Sequence, residues 1–323
     1  MIEGKVLVTG SNGQLGQCFK EVVGYYIRNY DYIFTTREQF DITNYDMMEK
    51  YLEEKQDIKI IINCAAYTDV KNAETEDGYK QSNLININGA QNLALLCKKF
   101  NIFLIHFGTD YMYGCKEQKP LGEGLFKRTL QEDYNPFCVA KKMNNYGMTK
   151  FLGVHNIFKE LKSRNNFVVI VTSWLYSEYG KNFVKTIRER VKEEEKTEVV
   201  YTQIGSPTYA KDLAKYVIDI IENHDCKFVD DGFNLINFSN LGIASWYDMA
   251  KLIEDFYSLD NNKITPRKEP FDDIPRPNYS VLDNSKIIEN CGEKPYIRHW
   301  VSAMVECLYS IRNKEYFNKK EEV

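Results

Sequence analysis

The stretch Lys5–Gly16 reads KVLVTGSNGQLG and joins a short apolar run to three glycines in the spacing G-x-x-G-x-x-G. Gly10 permits a tight turn, Gly13 lets backbone amides approach a pyrophosphate, and Gly16 lets a helix approach the sheet. The amides at a helix N-terminus also favour a negatively charged ligand. This order of strand, glycine turn and helix predicts a dinucleotide-binding turn, with an ordinary glycine-rich turn as the alternative.

Beyond this turn, short β-branched runs alternate with longer helical patterns. The alternation indicates βαβ units, and the nearly continuous apolar character of the runs indicates strands covered on both faces. The predicted fold class is therefore α/β, a doubly wound parallel sheet. The predicted strands are Lys5–Thr9, Tyr32–Thr36, Lys59–Asn63, Ile102–Phe107 and Phe167–Thr172. Helical spacing predicts helices over Asn83–Phe100 and Phe137–Leu161, and another from about Lys181.

Composition excludes several classes of protein. The 323 residues, 43% hydrophobic and 27% charged, can bury a sizeable core as one large unit or as two lobes, so a peptide module is excluded. No stretch reaches the ~18–20 continuous apolar residues of a membrane helix. The net charge of −4 offers no global positive field for a nucleic-acid backbone. We expect no membrane and no nucleic-acid partner, and a local site for any anionic ligand.

The eight cysteines form no CxxC pair and no Cys/His cluster at metal spacing, so no structural zinc site is expected. The N-terminus lacks the features of a secretory signal, which predicts reduced thiols in a cytoplasmic protein. After about residue 176 the pattern loosens into mixed short elements. We expect the charge run Arg188–Glu198 to be a solvated helix face and the charged end Lys314–Val323 to be frayed.

The end of the second predicted strand bears on the choice of dinucleotide. NAD-binding units of this type usually place an acidic residue there, whereas this chain reads Phe34-Thr35-Thr36-Arg37. Two hydroxyls and a guanidinium suit a 2′-phosphate, so NADPH is favoured over NADH. Alternatively, Arg37 pairs with Glu38 or Asp41 at the surface.

Tyr146 and Lys150 are spaced i, i+4 on a predicted helix, which places the phenol and the ammonium on one face. A nearby positive charge favours the phenolate, so we expect Lys150 to lower the pKa of Tyr146 and make it a usable proton donor. Such a pair arises easily by chance among 23 tyrosines. It gains specificity because it follows a predicted strand end that reads Gly108-Thr109-Asp110-Tyr111.

Together these residues resemble the extended short-chain dehydrogenase/reductases, and within them the dTDP-4-dehydrorhamnose reductase branch. Eight motifs in order carry the resemblance over nearly the whole chain. They are Gly10–Gly16, Arg37–Ile42, Asn63–Val70, Gly108–Tyr111, Tyr146–Lys150, Thr172–Tyr176 with Lys181–Phe183, Gln203–Thr208, and Arg276–Asp283. The resemblance implies an NADP-binding Rossmann domain over residues 1–176, to which some later segments return, and a mainly substrate-binding lobe over residues 177–323.

The resemblance also implies residue roles. Tyr146 would protonate the C4 ketone oxygen of a 4-keto-6-deoxy sugar nucleotide, Lys150 would bind the nicotinamide ribose and tune Tyr146, and Thr109 would polarise the carbonyl. The implied cofactor-binding residues are Gly10, Asn12, Gly13, Gln14, Leu15, Gly16, Arg37, Asp41, Ile42, Ala65, Ala66 and Tyr67, together with Tyr146 and Lys150. The implied substrate-binding residues are Thr68, Val70, Asp110, Tyr111 and Trp174. Plain core packing is the alternative for Trp174, and Cys64 and His106 are expected to be structural.

The implied activity is NADPH-dependent reduction of dTDP-4-dehydro-L-rhamnose to dTDP-L-rhamnose for cell-surface polysaccharide synthesis, with the nucleotide sugar as partner. Related 4,6-dehydratases place Glu after the Thr-Asp pair, whereas this chain has Tyr111, which favours simple reduction. The alternatives are a non-catalytic NADP-binding regulatory subunit, or a nucleotide-sugar epimerase or dehydratase. Use of NADH, a role for Mg²⁺, and the choice between monomer and homodimer stay open.

Three features depart from the family pattern. Pro136 and Tyr146 are ten residues apart, where relatives have about four residues between the proline and the tyrosine, and the loop from Tyr113 to Asn135 is long. Relatives also tend to carry Glu shortly after the lysine, where this chain has Gly153-Val154.

Overall fold

The computed structural model describes residues 4–26, 28–114, 143–193, 196–223, 234–257, 262–290 and 297–321. The predicted loop 113–135 and the approach to the tyrosine helix therefore lie largely outside the described residues. The strands, numbered in chain order, are β1 Gly4–Thr9, β2 Tyr30–Phe34, β3 Ile58–Asn63, β4 Phe103–Thr109, β5 Phe167–Thr172, β6 Leu175–Tyr176, β7 Thr197–Val200, β8 Ile204–Gly205, β9 Thr208–Tyr209, β10 Leu235–Asn237, β11 Ala244–Ser245, β12 Ile264–Arg267 and β13 Tyr279–Ser280.

The helices are numbered in the same way. They are α1 Gln14–Val23, α2 Tyr45–Glu54, α3 Glu76–Ser82, α4 Ala90–Phe100, α5 Asn145–Leu161, α6 Phe183–Lys192, α7 Ala210–Asn223, α8 Trp246–Tyr257, α9 Ser285–Asn290 and α10 Trp300–Glu321. Two short 3₁₀ turns, Asn72–Glu74 and Asp110–Tyr113, and a π-helix over Asn83–Gly89 complete the helical elements of the described ranges.

A six-stranded sheet in the order β10-β5-β4-β3-β1-β2 forms the centre of the molecule, and all of its pairs are parallel. Helices α4 and α5 cover one face and α1 and α7 the other, each over its own buried apolar cluster. The predicted α/β doubly wound fold is thus confirmed. From β1 the chain runs to β2 on one side and to β3 on the other. The carboxyl ends of β1 and β3 therefore border the crevice where such sheets bind ligands.

The helix predicted over Asn83–Phe100 is present, but its first part is a π-helix. Gly153 of α5 packs against this part, and an ideal Cβ at Gly153 would lie 1.9 Å from the carbonyl oxygen of Asn86. The π-helix approaches α5 too closely at Gly153 for any side chain to fit there, which explains the glycine in a region where relatives tend to carry Glu. Helix α5 itself begins at Asn145, because Asn144 caps it, so the predicted earlier start is wrong for residues 143 and 144.

The C-terminal elements form a third apolar cluster built mainly from α6, α8 and α10. Three small sheets lie among them, with strand orders β11-β8-β13, β12-β7 and β6-β9. Strand β10 and helix α7, although late in sequence, belong to the central sheet and to the cluster on its α1 face. The division into lobes at residue 176 stays a prediction.

The charge run Arg188–Glu198 is exposed at most of its described charged residues, as predicted, but the prediction is wrong for Arg188, and the prediction of a frayed end is wrong for Lys314 and Glu315. Arg188 on α6 is not solvated: its side chain is 2% exposed and is paired with Glu189 and Glu315. Lys314 and Glu315 are not frayed, because both lie within α10 and both make ion pairs. The reason is shared, since the end of α10 packs beside α6 and supplies the carboxylate that a buried guanidinium requires.

Cys18, Cys97 and Cys307 are buried free thiols and Cys64 is partly buried, as expected of small apolar side chains. Within the described part of the chain, no helix combines the length and the apolar character needed to cross a membrane.

Candidate active site

The glycine turn lies at the carboxyl end of β1, as predicted. Gly10 has a φ of +61°, and an ideal Cβ there would meet the backbone nitrogen of Ala65 at 2.7 Å, so only glycine fits. Gly13 is the N-cap of α1 and provides no side-chain cap, so no side chain competes for the first amides of the helix. Ser11 is fully buried, and its hydroxyl has no hydrogen-bond partner among the described residues.

The other turn residues have structural contacts of their own. Gln14 Nε2 donates to the Leu175 carbonyl at 3.2 Å, and Gln14 Oε1 accepts from Asn182 Nδ2 at 2.7 Å. Leu15 packs in the core, so only its backbone faces the turn. Asn12 is exposed, and its carbonyl accepts from Gln17.

At the end of β2, Arg37 pairs with Asp41 through Nε at 2.9 Å, which is one of the alternatives raised by the sequence. The Arg37 side chain is 64% exposed, and its terminal nitrogens have no partner among the described residues. The Thr35 hydroxyl is buried and donates to the Val8 carbonyl at 3.3 Å, so it is not one of the two hydroxyls expected for a phosphate. Ile42 is also buried, against Gly89.

The loop after β3 carries Ala65, Ala66 and Tyr67 past the glycine turn. Its position is fixed by Asn86 of the π-helix, whose Oδ1 accepts from the Tyr67 amide at 2.9 Å and whose Nδ2 donates to the Tyr67 carbonyl at 3.1 Å. Thr68 is exposed and Val70 is partly buried on the same loop. No hydrogen bond or ring contact among the described residues joins either of them to the tyrosine site.

Tyr146 stands in the first turn of α5, at the carboxyl end of β4. Its phenol lies next to the Thr109 side chain, and its ring packs edge-on against that of Tyr111 at a centroid distance of 5.5 Å. Gly147 makes this packing possible, since an ideal Cβ there would lie 2.9 Å from the Tyr111 carbonyl oxygen. The hydroxyls of Tyr146 and Thr109, to which the resemblance assigns the substrate carbonyl, therefore lie close together.

Lys150 lies one turn further along α5 and is buried, with its Nζ donating to the Phe107 carbonyl at 2.7 Å. Burial lowers the pKa of Lys150 to about 8. Burial, together with the Asp110 charge, also raises the pKa of Tyr146 to about 12, although the neighbouring Thr109 side chain lowers it. The expectation that the pKa of Tyr146 is lowered is wrong in this structure, because desolvation of the phenolate raises it and the Lys150 ammonium is directed at the Phe107 carbonyl.

Asp110 is buried beside these groups. Its Oδ1 accepts from the Thr109 hydroxyl at 3.1 Å, whereas Oδ2 has no partner of hydrogen-bond geometry among the described residues. Burial raises the pKa of this carboxyl to about 6, although the Ser280 and Thr109 side chains lower it. Ser280, from β13, is itself fully buried.

Trp174 has a φ of +48°, which is strained for a tryptophan. Its ring stacks on Trp246 at a centroid distance of 3.8 Å, and Gly205 lies so close that an ideal Cβ there would meet the indole at 2.6 Å. Trp246, in turn, lines a cavity of about 290 Å³ with Phe183, Phe271 and Arg276. Trp174 therefore packs behind Trp246 and supports the wall of this cavity. It does not line the cavity, as a pocket contact would, but it lies next to a residue that does.

Arg276 connects the cavity to the tyrosine site. Its guanidinium forms an ion pair with Asp272 and lies next to the Tyr111 side chain, and both raise its pKa. The sequence marked Arg276 as part of a motif but gave it no role. Asn86, Asn144 and Trp246 were given no role, because the contacts that bring them to the site, with Tyr67, Pro275 and Trp174 respectively, join residues far apart in sequence.

Cys64 and His106 have the structural roles expected of them. His106 is buried, its Nδ1 lies 3.0 Å from Asn63 Nδ2, and burial holds the pKa of its imidazole well below the usual value. Burial likewise raises the pKa of the Cys64 thiol. Neither group is in a state suited to acid, base or nucleophilic work near neutral pH.

Comparison with known proteins agrees with this geometry. Residues 4–313 match the family model described as the RmlD substrate binding domain. The chain is 33% identical over 304 residues to a dTDP-4-dehydrorhamnose reductase of Aggregatibacter actinomycetemcomitans, covering 90% of this chain and 94% of that protein. It is 32% identical over 309 residues to the spore coat polysaccharide biosynthesis protein SpsK of Bacillus subtilis, covering 94% and 96%.

A crystal structure of dTDP-4-dehydrorhamnose reductase from Bacillus anthracis, in complex with NADP, superposes with a TM-score of 0.77. It is 28% identical in sequence, and the match covers 95% of this chain and 99% of that one. The resemblance read from eight motifs thus extends over the whole fold. The chain belongs to the RmlD substrate binding domain family of extended short-chain dehydrogenase/reductases.

Proposed function

We propose that this protein is an NADPH-dependent reductase of the C4 ketone of a nucleotide-activated 6-deoxy sugar, converting dTDP-4-dehydro-L-rhamnose to dTDP-L-rhamnose. One observation carries the proposal: the hydroxyls of Tyr146 and Thr109 meet beside buried Lys150, at the carboxyl end of β4. Two neighbouring hydroxyls suit a carbonyl oxygen that gains a proton. The similarity to dTDP-4-dehydrorhamnose reductases supports the choice of sugar nucleotide.

The residues of the glycine turn fit a dinucleotide. The buried Ser11 hydroxyl without a partner, the uncapped start of α1 and the positive φ of Gly10 together form a cradle for a pyrophosphate. The exposed terminal nitrogens of Arg37 suit the 2′-phosphate of NADPH. By the resemblance to the family, Lys150 would bind the nicotinamide ribose. When bound, NADPH supplies the hydride for the carbonyl carbon.

Tyr146 supplies the proton. With a pKa of about 12 the phenol is fully protonated at neutral pH, and the alkoxide that forms on reduction is a far stronger base than a phenolate. Proton transfer to the alkoxide is therefore downhill although the phenol is weakly acidic. Desolvation of the partly buried Tyr146 thus holds the group in its donor form.

Thr109 polarises the carbonyl, but it has only one hydrogen to donate. In this structure that hydrogen is directed at Asp110 Oδ1. Protonation of Asp110 removes the carboxylate acceptor, and the Thr109 hydroxyl can then turn to the substrate. Asp110 therefore controls Thr109 in addition to its predicted place in the sugar pocket.

The cavity beside Trp246 suits the nucleotide part of the substrate. Its volume of about 290 Å³ is at the lower end of ligand sites. Phe183 and Phe271 supply aromatic faces and Arg276 supplies positive charge next to Tyr111. The sugar would then extend from Arg276 towards Tyr146. This arrangement supports a cofactor lobe and a mainly substrate-binding lobe, and we propose a cytoplasmic location for this chemistry.

The test follows NADPH absorbance with dTDP-4-dehydro-L-rhamnose generated in situ. Wild-type protein should oxidise NADPH only when the sugar nucleotide is present, and Tyr146→Phe should lower kcat by roughly 10²–10⁴-fold. A folded wild-type protein without substrate-dependent oxidation would support the regulatory-subunit alternative and overturn the proposal. An epimerase or dehydratase would retain its NAD(P)⁺, which denaturing the purified protein would release for assay.

A further inference from the structure

The side-chain amide of Asn144 makes hydrogen bonds with two different segments of the chain. As the N-cap of α5 it is 2% exposed, and its Oδ1 accepts from the Gly147 amide at 2.8 Å. Its Nδ2 donates to the Pro275 carbonyl at 2.9 Å, across 131 positions of sequence. The oxygen faces a donor and the nitrogen faces an acceptor, so the orientation of the amide is determined. Capping of the helix uses only the oxygen, so the bond from Nδ2 to Pro275 has a function other than capping.

The bond from Asn144 Nδ2 attaches the segment 272–276 to the start of α5. Pro275 directly precedes Arg276, whose guanidinium is paired with Asp272 and lies next to the Tyr111 side chain. The Tyr111 ring packs on Tyr146, two residues after Asn144. The contacts thus close a ring that runs from α5 through the 3₁₀ turn after β4 to the segment 272–276 and back to α5.

We infer that Asn144 is a positioning residue that fixes the Arg276 segment of the substrate cavity against the helix of the proton donor. The inference rests on the proposed function for its kinetic consequence, but the contact itself does not. A nucleotide sugar that spans the two sites contacts the Arg276 segment with one end and Tyr146 with the other. A fixed distance between these sites favours binding, because less of the protein has to become ordered when the ligand binds. Without the Asn144 bond, Arg276 would keep its partners, but its segment would lose its fixed distance from Tyr146.

The chain offers variants that separate the two tasks. Asn144→Ser keeps a side-chain oxygen for the cap and removes the donor to Pro275. Asn144→Asp also keeps the cap and the side-chain size, but it sets a carboxylate against a carbonyl oxygen and should have the larger effect. Asn44→Ser is the matched control, because Asn44 caps α2 through Oδ1 and its Nδ2 makes no hydrogen bond among the described residues.

Two measurements test the inference. Hydrogen–deuterium exchange of the free protein should show faster exchange over residues 271–280 in both Asn144 variants and no change there in Asn44→Ser. The KM for the sugar nucleotide should rise roughly two- to tenfold in Asn144→Ser, the effect of one hydrogen bond, while the KM for NADPH is unchanged. Circular dichroism establishes that each variant is folded.

The outcomes are distinct from those of the proposed function. Unchanged exchange over 271–280, or faster exchange confined to the first turn of α5, would overturn the inference even in an active enzyme. The wild-type protein could reduce no sugar nucleotide while both Asn144 variants still exchange faster over residues 271–280. That result would support the positioning contact and overturn the proposed function. If Asn144→Ser does not fold, the exchange and KM of Asn144→Asp decide between the same outcomes.

Discussion

The Thr109 hydroxyl donates to Asp110 Oδ1 over 3.1 Å, so the group expected to polarise a substrate carbonyl is already committed to a neighbouring carboxylate. Both side chains are buried, and water cannot readily replace either partner. The protonation state of one residue therefore determines what its neighbour can do. The first prediction concerns this pair.

Activity should fall as pH rises through the pKa of Asp110, which burial raises to about 6 in the free protein. Above this pKa the carboxylate holds the Thr109 hydrogen, and below it the hydrogen is free for the substrate. In Asp110→Asn the amide nitrogen can donate to Thr109 Oγ1, so this limb of the kcat profile should disappear. A variant profile that still falls between pH 5 and 7 would contradict the assignment.

Asp110 should also make stability depend on pH. Its folded pKa lies above the usual value of 3.8, so the folded state binds the proton more tightly and is destabilised as pH rises from about 4 to above 6. The cost is roughly 3 kcal/mol at full ionisation. Urea denaturation at pH 8 should therefore show Asp110→Asn to be more stable than wild type, and the gain should vanish near pH 4. An equal gain at both pH values would point to a cause other than ionisation.

Arg37→Ala should raise the KM for NADPH by about tenfold, as expected for a charged hydrogen bond, and leave the KM for NADH nearly unchanged. The reason is that the terminal nitrogens of Arg37 are exposed while Nε pairs with Asp41. Lys50→Ala is the control, since Lys50 is likewise exposed and paired i, i+4, with Glu54. Equal effects of Arg37→Ala on both cofactors would remove the argument for a 2′-phosphate site.

Glu315→Ala should destabilise the protein by about 3 kcal/mol, because it leaves the buried Arg188 guanidinium with Glu189 as its remaining carboxylate. Lys192→Ala removes an exposed partner of the same Glu315 and should cost less than about 1 kcal/mol. Urea denaturation of the two variants gives the comparison. Similar losses would show that Arg188 does not depend on the end of α10.

Gly153→Ala should destabilise the protein by roughly 1–3 kcal/mol, although alanine normally favours a helix interior. The added Cβ would meet the Asn86 carbonyl oxygen at 1.9 Å and push α5 away from the π-helix. Gly24→Ala is the control, since an ideal Cβ at Gly24 has its nearest contact at 3.4 Å. Thermal unfolding of the two variants checks the prediction, which a stabilised Gly153→Ala protein would contradict.

The sequence alone determined the features that depend on neighbouring residues. The first strand, the glycine turn and the start of α1 follow from one short stretch, Lys5–Gly16, whose conformation is set by local sterics and by apolar burial. The i, i+4 spacing likewise placed Tyr146 and Lys150 on one face of a helix. The doubly wound sheet followed because alternating apolar runs and helical patterns have few ways to bury their surfaces.

Only the tertiary structure decided the properties that depend on distant residues. The pKa of Tyr146 is raised because β4 and the 3₁₀ turn enclose it, which the spacing to Lys150 could not show. Arg188 is buried because α10 returns to cover α6. Asn144 meets Pro275 across 131 positions. Desolvation and long-range pairing arise when separate segments pack together, so a local pattern supplies the chemical groups, and the fold determines their charge, their partners and their separation.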